Sequence, residues 1–193
     1  MGTYLNPGNS GFEEIVKSDY VDKTGLIGLI NRTIGTKQKL TCISWPRRFG
    51  KSYAAQTLCA YYDKPCDSQE LFAGYSIAED PSYGKHLNQY DVIYLDMTNI
   101  LGKAEPKEVI EYIGNRITNE IHEAYPEVRA DGALDENLIK TVAYTGNNMA
   151  VKFFLLVSAI MKIPKLTNAG LKNKENEGES AVLLTQEFTG LDR

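Results

Sequence analysis

The sequence predicts a three-layer α/β domain built around a parallel sheet, and three observations predict it. Asp91-Val92-Ile93-Tyr94-Leu95-Asp96 and Phe153-Phe154-Leu155-Leu156-Val157 are short, nearly continuous apolar runs, as strands buried on both faces should be. Leu40–Ser44 is β-rich and leads through a glycine-bearing loop into a helical pattern without a gap. Val109, Ile113, Ile117 and Ile121 recur in four-residue steps, which puts them on one face of a helix. At 193 residues the chain suits about one domain of ~150 residues. That domain is expected over residues 1–164, with 165–193 as a charged, flexible tail.

Taken in order, Ser10-Gly11-Phe12-Glu13 fits a capping box that opens a short helix through Val16. Tyr20-Val21-Asp22-Lys23-Thr24 reads as an extended link. Thr24 then caps a second helix with Leu26, Ile27, Leu29, Ile30 and Ile34 on its apolar stripe. After the strand at Leu40–Ser44, Pro46 lacks a donor and Gly50 admits unusual backbone angles, so Trp45–Gly50 is a loop. The helix from Ser52 carries Ala54, Ala55, Leu58 and Cys59 at helical spacing and ends near Lys64-Pro65. Pro106 suits the first turn of the Val109–Ile121 helix, and Pro126 ends it. Leu134, Leu138 and Val142 predict another helix. From Asn168 to Ser180 there is almost nothing to bury, and Ala181–Arg193 shows no clear period.

Composition excludes several classes of function. Apolar residues make up 42% and charged residues 24%, so the chain has the composition of a folded globule. A net charge of −4 argues against a basic protein that coats nucleic acid. No apolar run approaches the ~20 residues that cross a bilayer, and no basic-then-apolar leader precedes the first helix. Cys42, Cys59 and Cys66 are too scattered for a disulfide framework or a zinc site, which predicts a reduced, cytoplasmic setting.

Gly50-Lys51-Ser52, at a strand-to-helix junction, carries the chemistry. A helix start offers unpaired amides and the positive end of the helix dipole, both suited to phosphate. Here Lys51 would reach the β- and γ-phosphates as the catalytic candidate, and Ser52 would ligate Mg²⁺. Gly50 lets the backbone approach the phosphate, while Arg47 and Arg48 add positive charge at the same mouth. Phe49 and Tyr53 flank the turn and complete the expected binding set of Arg47, Arg48, Phe49, Gly50, Lys51, Ser52 and Tyr53. The usual phosphate-loop pattern has glycine five residues before Gly50, where this chain has Trp45. The bland alternative is an ordinary turn with solvated cations.

Ser44-Trp45-Pro46-Arg47-Arg48-Phe49-Gly50-Lys51-Ser52 resembles the Ser-Arg-Pro-Arg-Arg-Phe-Gly-Lys-Ser loop of the AAA-ATPase-like family of bacterial proteins. Tyr20–Thr24 and Val92–Asp96 are similar to that family's segments before and after the loop, and the likeness spans roughly residues 4 to 150. The resemblance implies a P-loop NTPase-like fold with ATP and Mg²⁺ as ligands. The family loop also lacks the first glycine, and its arginine is replaced here by Trp45. Family members carry Asp-Glu after a further apolar strand, where this chain reads Ser158-Ala159, and neither residue supplies a carboxylate. The stretch after Pro164 does not resemble the family, so the chain is read as a truncated or degenerate member.

Asp96 ends its strand as a Mg²⁺-orienting carboxylate does. It equally fits a strand-end cap for the turn at Thr98-Asn99. Tyr20 is a candidate to stack on adenine. His122, beside Glu123, reads as part of a solvated helix face, and Glu111, Glu120 and Glu123 read the same way. His86 receives no role, and Cys59 reads as a small buried apolar group. Three functions stand in order: Mg-ATP binding with weak or absent hydrolysis, a non-catalytic interaction module or remnant, and single-stranded nucleic-acid binding through Trp45, Arg47 and Arg48. The last is disfavoured by the overall acidity. The nucleotide is the expected partner, with no membrane, and no protein partner can be named.

Overall fold

A computed structural model describes residues 2–46, 49–103, 107–126, 153–162 and 179–188, and the structural statements below concern these residues. The order of elements is α1 (Ser10–Val16), α2 (Gly25–Asn31), β1 (Thr41–Pro46), α3 (Lys51–Tyr62) and α4 (Gln69–Phe72). A 3-10 turn at Ser76–Glu79 and α5 (Tyr83–His86) lead to β2 (Asp91–Asp96). Then come α6 (Met97–Leu101), α7 (Val109–Ala124), β3 (Phe153–Lys162) and β4 (Glu179–Phe188). The proposed Leu134–Val142 helix lies outside the described residues, as does Pro106.

The four strands form one sheet in the order β1-β4-β3-β2. β2 and β3 pair in parallel, while β4 runs antiparallel to both β1 and β3. β1, β2 and β3 therefore point the same way, but only β2 and β3 are parallel neighbours. The three expected strands thus share one direction; what the sequence did not announce is β4, Glu179–Phe188, which lies inside the sheet within the stretch 165–193 expected to be a flexible tail. The reason is physical. Ala181-Val182-Leu183-Leu184 is a contiguous apolar run, and β4 finds backbone partners along both of its edges, in β1 and β3. Missing periodicity was no evidence against a strand there.

Alternate residues of β2 and β3 serve two apolar clusters. Val92, Phe154 and Leu156 join Phe12, Ile27, Ile30, Leu58, Tyr61 and Tyr62 from α1, α2 and α3. Ile93 and Leu95 join Ile100, Val109, Ile117 and Ile121 from α6 and α7, with Leu155 and Val157 packed alongside. Within the first cluster Tyr62 stacks on Phe154 with ring centroids 4.0 Å apart, and Phe12 stacks on Phe72 at 4.9 Å. The free edge of β2 is covered by the N-terminal segment, whose Asn6 amide donates to the Val92 carbonyl at 2.7 Å. Tyr94 in turn donates to the Tyr4 carbonyl at 2.8 Å.

The predicted capping box does not form. Asn9, not Ser10, is the N-cap of α1, and its carbonyl accepts from the amides of Phe12 and Glu13 at 3.0 Å each. Thr24 does precede α2, but its hydroxyl bonds Asp22 Oδ1 rather than the helix amides. On α2, Ile27 and Ile30 are buried as expected, whereas Leu29 is exposed.

Candidate functional site

Because β1 and β2 run in the same direction, their C-terminal ends lie on one side of the sheet. Register places Ile43, Leu183, Ser158 and Asp96 in a single row across it. The loop that follows β1 turns back into α3 through Gly50, whose φ of 80° and ψ of 30° are left-handed. A Cβ at this position would be strained by that φ and would stand 2.9 Å from Lys23 Nζ, so glycine is required. Gly50 is the N-cap of α3 and, as a glycine, offers no side chain to cap it. Lys51 is the first helical residue, half-buried, with Ser52 and Tyr53 exposed on the same turn. Three residues of the expected binding set thus open one helix, with Phe49 exposed just before them. The side chains of Arg47 and Arg48 lie outside the described residues.

Partial burial lowers the pKa of the Lys51 ammonium, and the negative charge of Asp96 works against that shift. The lysine and the strand-end carboxylate are therefore electrostatic neighbours. Asp96 itself is the N-cap of α6, and its Oδ1 accepts from the amides of Thr98 at 3.0 Å and Asn99 at 3.4 Å. The capping role is what the geometry displays. It occupies one carboxylate oxygen and holds the group at the same end of the sheet as α3.

Lys23 was not singled out by spacing or composition, yet its ammonium donates to the Phe49 carbonyl at the entrance to the turn. The link that carries it is held firmly. Asp22 accepts from the Thr24 amide at 2.8 Å, the Thr24 hydroxyl at 2.7 Å and the Ser76 amide at 2.9 Å. Burial alone would raise the pKa of the Asp22 carboxyl, but these bonds together hold it below its ordinary value. Tyr20 packs edge-on against Phe12 and Tyr75, and its hydroxyl accepts from the Lys23 amide at 3.2 Å. Only the Tyr20–Thr24 segment's likeness to the family marked this region in the sequence. Lysine contacts across 26 residues leave no local pattern.

Several weaker candidates resolve into structure. His86 is buried, with Nδ1 2.6 Å from the Tyr90 hydroxyl and its ring stacked on Tyr90. His122 is buried as well, so the solvated-face reading fails for it; the turn of α7 that carries it packs inward beside Ile121. Glu120 accepts from the amides of Thr3, Tyr4 and Leu5 at 3.1, 2.9 and 2.7 Å, anchoring the N-terminal segment. It is a structural clamp, while Glu111 and Glu123 are exposed as expected. Cys59 is fully buried, and burial pushes its thiol well above the usual range. Among the described residues no group of three or more His, Cys, Asp or Glu side chains could hold a metal ion. Among them, too, no helix is long and apolar enough to cross a membrane.

No curated protein and no solved structure matches the chain. Residues 7–162, which include β1, the Gly50 turn, α3, β2 and β3, match the family described as AAA-ATPase-like, "Predicted AAA-ATPase". That match covers well over half of the 193 residues and contains every element that builds the site, so the chain belongs to the AAA-ATPase-like family.

Proposed function

We propose that this protein binds Mg-ATP through the turn that opens α3 and hydrolyses it slowly or not at all. The observation that carries the reading is the left-handed Gly50 at an N-cap with no side-chain cap, followed at once by Lys51. Helix amides and the dipole favour a polyphosphate there, and the ammonium adds a positive charge. In this reading the parallel strands and their helices form a P-loop NTPase-like core. Lys51 neutralises the β- and γ-phosphates, Arg47 and Arg48 grip phosphate oxygens, and Phe49, Gly50 and Tyr53 shape the turn.

The donors suit magnesium, which keeps several waters and takes one or two protein oxygens together with substrate phosphates. Ser52 offers an exposed hydroxyl on the first turn of α3, and Asp96 has one carboxylate oxygen outside its capping bonds to Thr98 and Asn99. Bound Mg²⁺ would supply charge neutralisation across the phosphates. Weak hydrolysis follows from the residue opposite Asp96. β3 places Ser158 in that register position, where a second carboxylate would be needed to order water and metal. The same serine supports a second reading, a nucleotide-independent interaction module.

Calorimetry with Mg-ATP separates them. Lys51→Ala is expected to abolish binding that the wild-type protein shows, while its melting temperature without ligand stays unchanged. Undiminished affinity in the variant would overturn the proposed site. A wild-type protein with no thermal shift at millimolar Mg-ATP would favour the interaction module.

A further inference from the structure

The two edges of the sheet are finished differently. β2 is covered along its outer edge by the N-terminal segment, where Leu5 bridges to Ile93 and backbone hydrogen bonds join Asn6 to Val92 and Tyr94 to Tyr4. Glu120 clamps that segment in place. β1 pairs with β4 on one side, and among the described residues no backbone bridge reaches its other edge. An open edge presents every second N–H and C=O of the strand to whatever lies beside it. We propose that the open edge of β1 is a docking site for an extended, acidic segment of a partner protein, which adds to the sheet as a further strand.

Three observations select that partner. The first is backbone chemistry. β1 runs for six residues, a span of ~20 Å, and its edge calls for donors and acceptors in alternation. A polypeptide strand supplies both, whereas the phosphates of a nucleic acid only accept. The second is exposure. Leu40, which leads into β1, is 62% exposed, and Leu29 on α2 is 58% exposed. The Thr33 and Thr41 hydroxyls lie 3.3 Å apart, which brings the end of the helix that carries Leu29 to the strand that follows Leu40. Along the strand, Cys42 and Ser44 are exposed and small, so an incoming backbone can approach.

The third observation is charge. From Lys23 to Tyr62, a stretch that holds α2, β1 and α3, there are seven cationic residues and no carboxylate, so all 25 acidic residues of the chain lie elsewhere. Lys37 and Lys39 stand just before Leu40, and the Lys37 side chain is exposed. Arg32 already meets Asp80 at 3.8 Å, which leaves the lysines to face an incoming carboxylate. In a chain of net charge −4, this stretch draws an acidic segment to the one margin that is basic. The same lysines disfavour a second copy, because two such edges side by side would oppose like charges.

Fluorescence anisotropy on the full chain without nucleotide tests the proposal with four labelled probes. These are an alternating Glu-Val peptide as long as β1, its Lys-Val counterpart, the acidic peptide interrupted by proline, and oligothymidylate. The acidic peptide is expected to bind about tenfold tighter than the basic and the proline-bearing peptides and to weaken as salt rises. It should also slow amide hydrogen exchange along Thr41–Trp45. Lys37→Glu and Leu40→Ser, both at exposed side chains, are each expected to weaken it several-fold while circular dichroism and melting temperature stay as in wild type. No binding of the acidic peptide, equal binding of the proline-bearing one, or binding without protection of β1 would overturn the docking site. Tighter binding of oligothymidylate, lost in Lys37→Glu, would overturn it in favour of nucleic acid, and self-association that excludes the peptide would overturn it in favour of a second copy. The Mg-ATP reading is untouched by every outcome, since neither substituted residue belongs to the Gly50 turn.

Discussion

The two ends of α3 are built on opposite rules. From Ala54 to Tyr62 every side chain but Gln56 is buried, packed against α1, α2, β2 and β3. At the other end, after a left-handed glycine, Lys51 is half-buried and Ser52 and Tyr53 are exposed. The contrast extends to the carboxylates at each end. Asp63, the C-cap, is completely buried, and burial pushes its pKa from 3.8 up to about 6 even though the Gly8 amide donates to it at 2.7 Å. Asp96, near the N-terminal end, spends its charge on two exposed amides of α6. One end pins the helix in the core, and the other opens it at the surface.

The largest way to break this contrast is to hollow out the pinned end. Leu58→Ala removes a fully buried side chain and is expected to cost ~2–5 kcal/mol in urea unfolding. Below its lowered melting point the variant should still respond to Mg-ATP as wild type does. A loss of response in the folded variant would show that the two ends are not separable.

The buried carboxylate gives the next effect. Folded protein holds the Asp63 proton up to about pH 6, whereas the unfolded chain releases it near 3.8. Its contribution to stability is therefore full below about pH 4 and is lost as pH rises through 6. Asp63→Asn removes that slope. The gap in stability between variant and wild type should shift in the variant's favour by on the order of 1–3 kcal/mol between pH 4 and pH 7.5. Parallel pH profiles would mean that the carboxyl is not held protonated.

At the open end the backbone matters more than the side chains. Gly50→Ala forces a Cβ into left-handed backbone beside Lys23 and is expected to cost ~1–2 kcal/mol in the same unfolding assay. It should also weaken Mg-ATP binding, since the turn shapes the amides. Lys51→Ala gives the smallest stability effect, within ~0.5 kcal/mol, despite its expected loss of ligand. Substantial destabilisation by that substitution would make Lys51 a packing residue and blur the contrast.

Legibility in the sequence followed the same division. β1, α3, β2 and the start of β3 were readable because each combines an apolar run or helical spacing with punctuation, as at Gly50; β1 nevertheless runs on through Trp45 and Pro46, which the sequence assigned to the loop. β4 was not readable, because its pairing with β1 and β3 leaves no local mark in a stretch that opens on polar residues. Asp96 could be narrowed to two roles, since a strand-end carboxylate followed by Thr98 and Asn99 is both a cap and a metal orienter on paper. His122 and Glu120 were misread as solvated because their partners, the packed face of α7 and the amides of Thr3, Tyr4 and Leu5, lie far away in the chain.

By itself, the order of residues determined the strand–turn–helix unit around Gly50 and its family, since an apolar run, a glycine and helical spacing act over a few adjacent positions. Tertiary structure alone decided where β4 inserts, which carboxylate is buried, and that Lys23 braces the turn. Those outcomes depend on burial and on contacts between distant segments, and neither leaves a local trace in the chain.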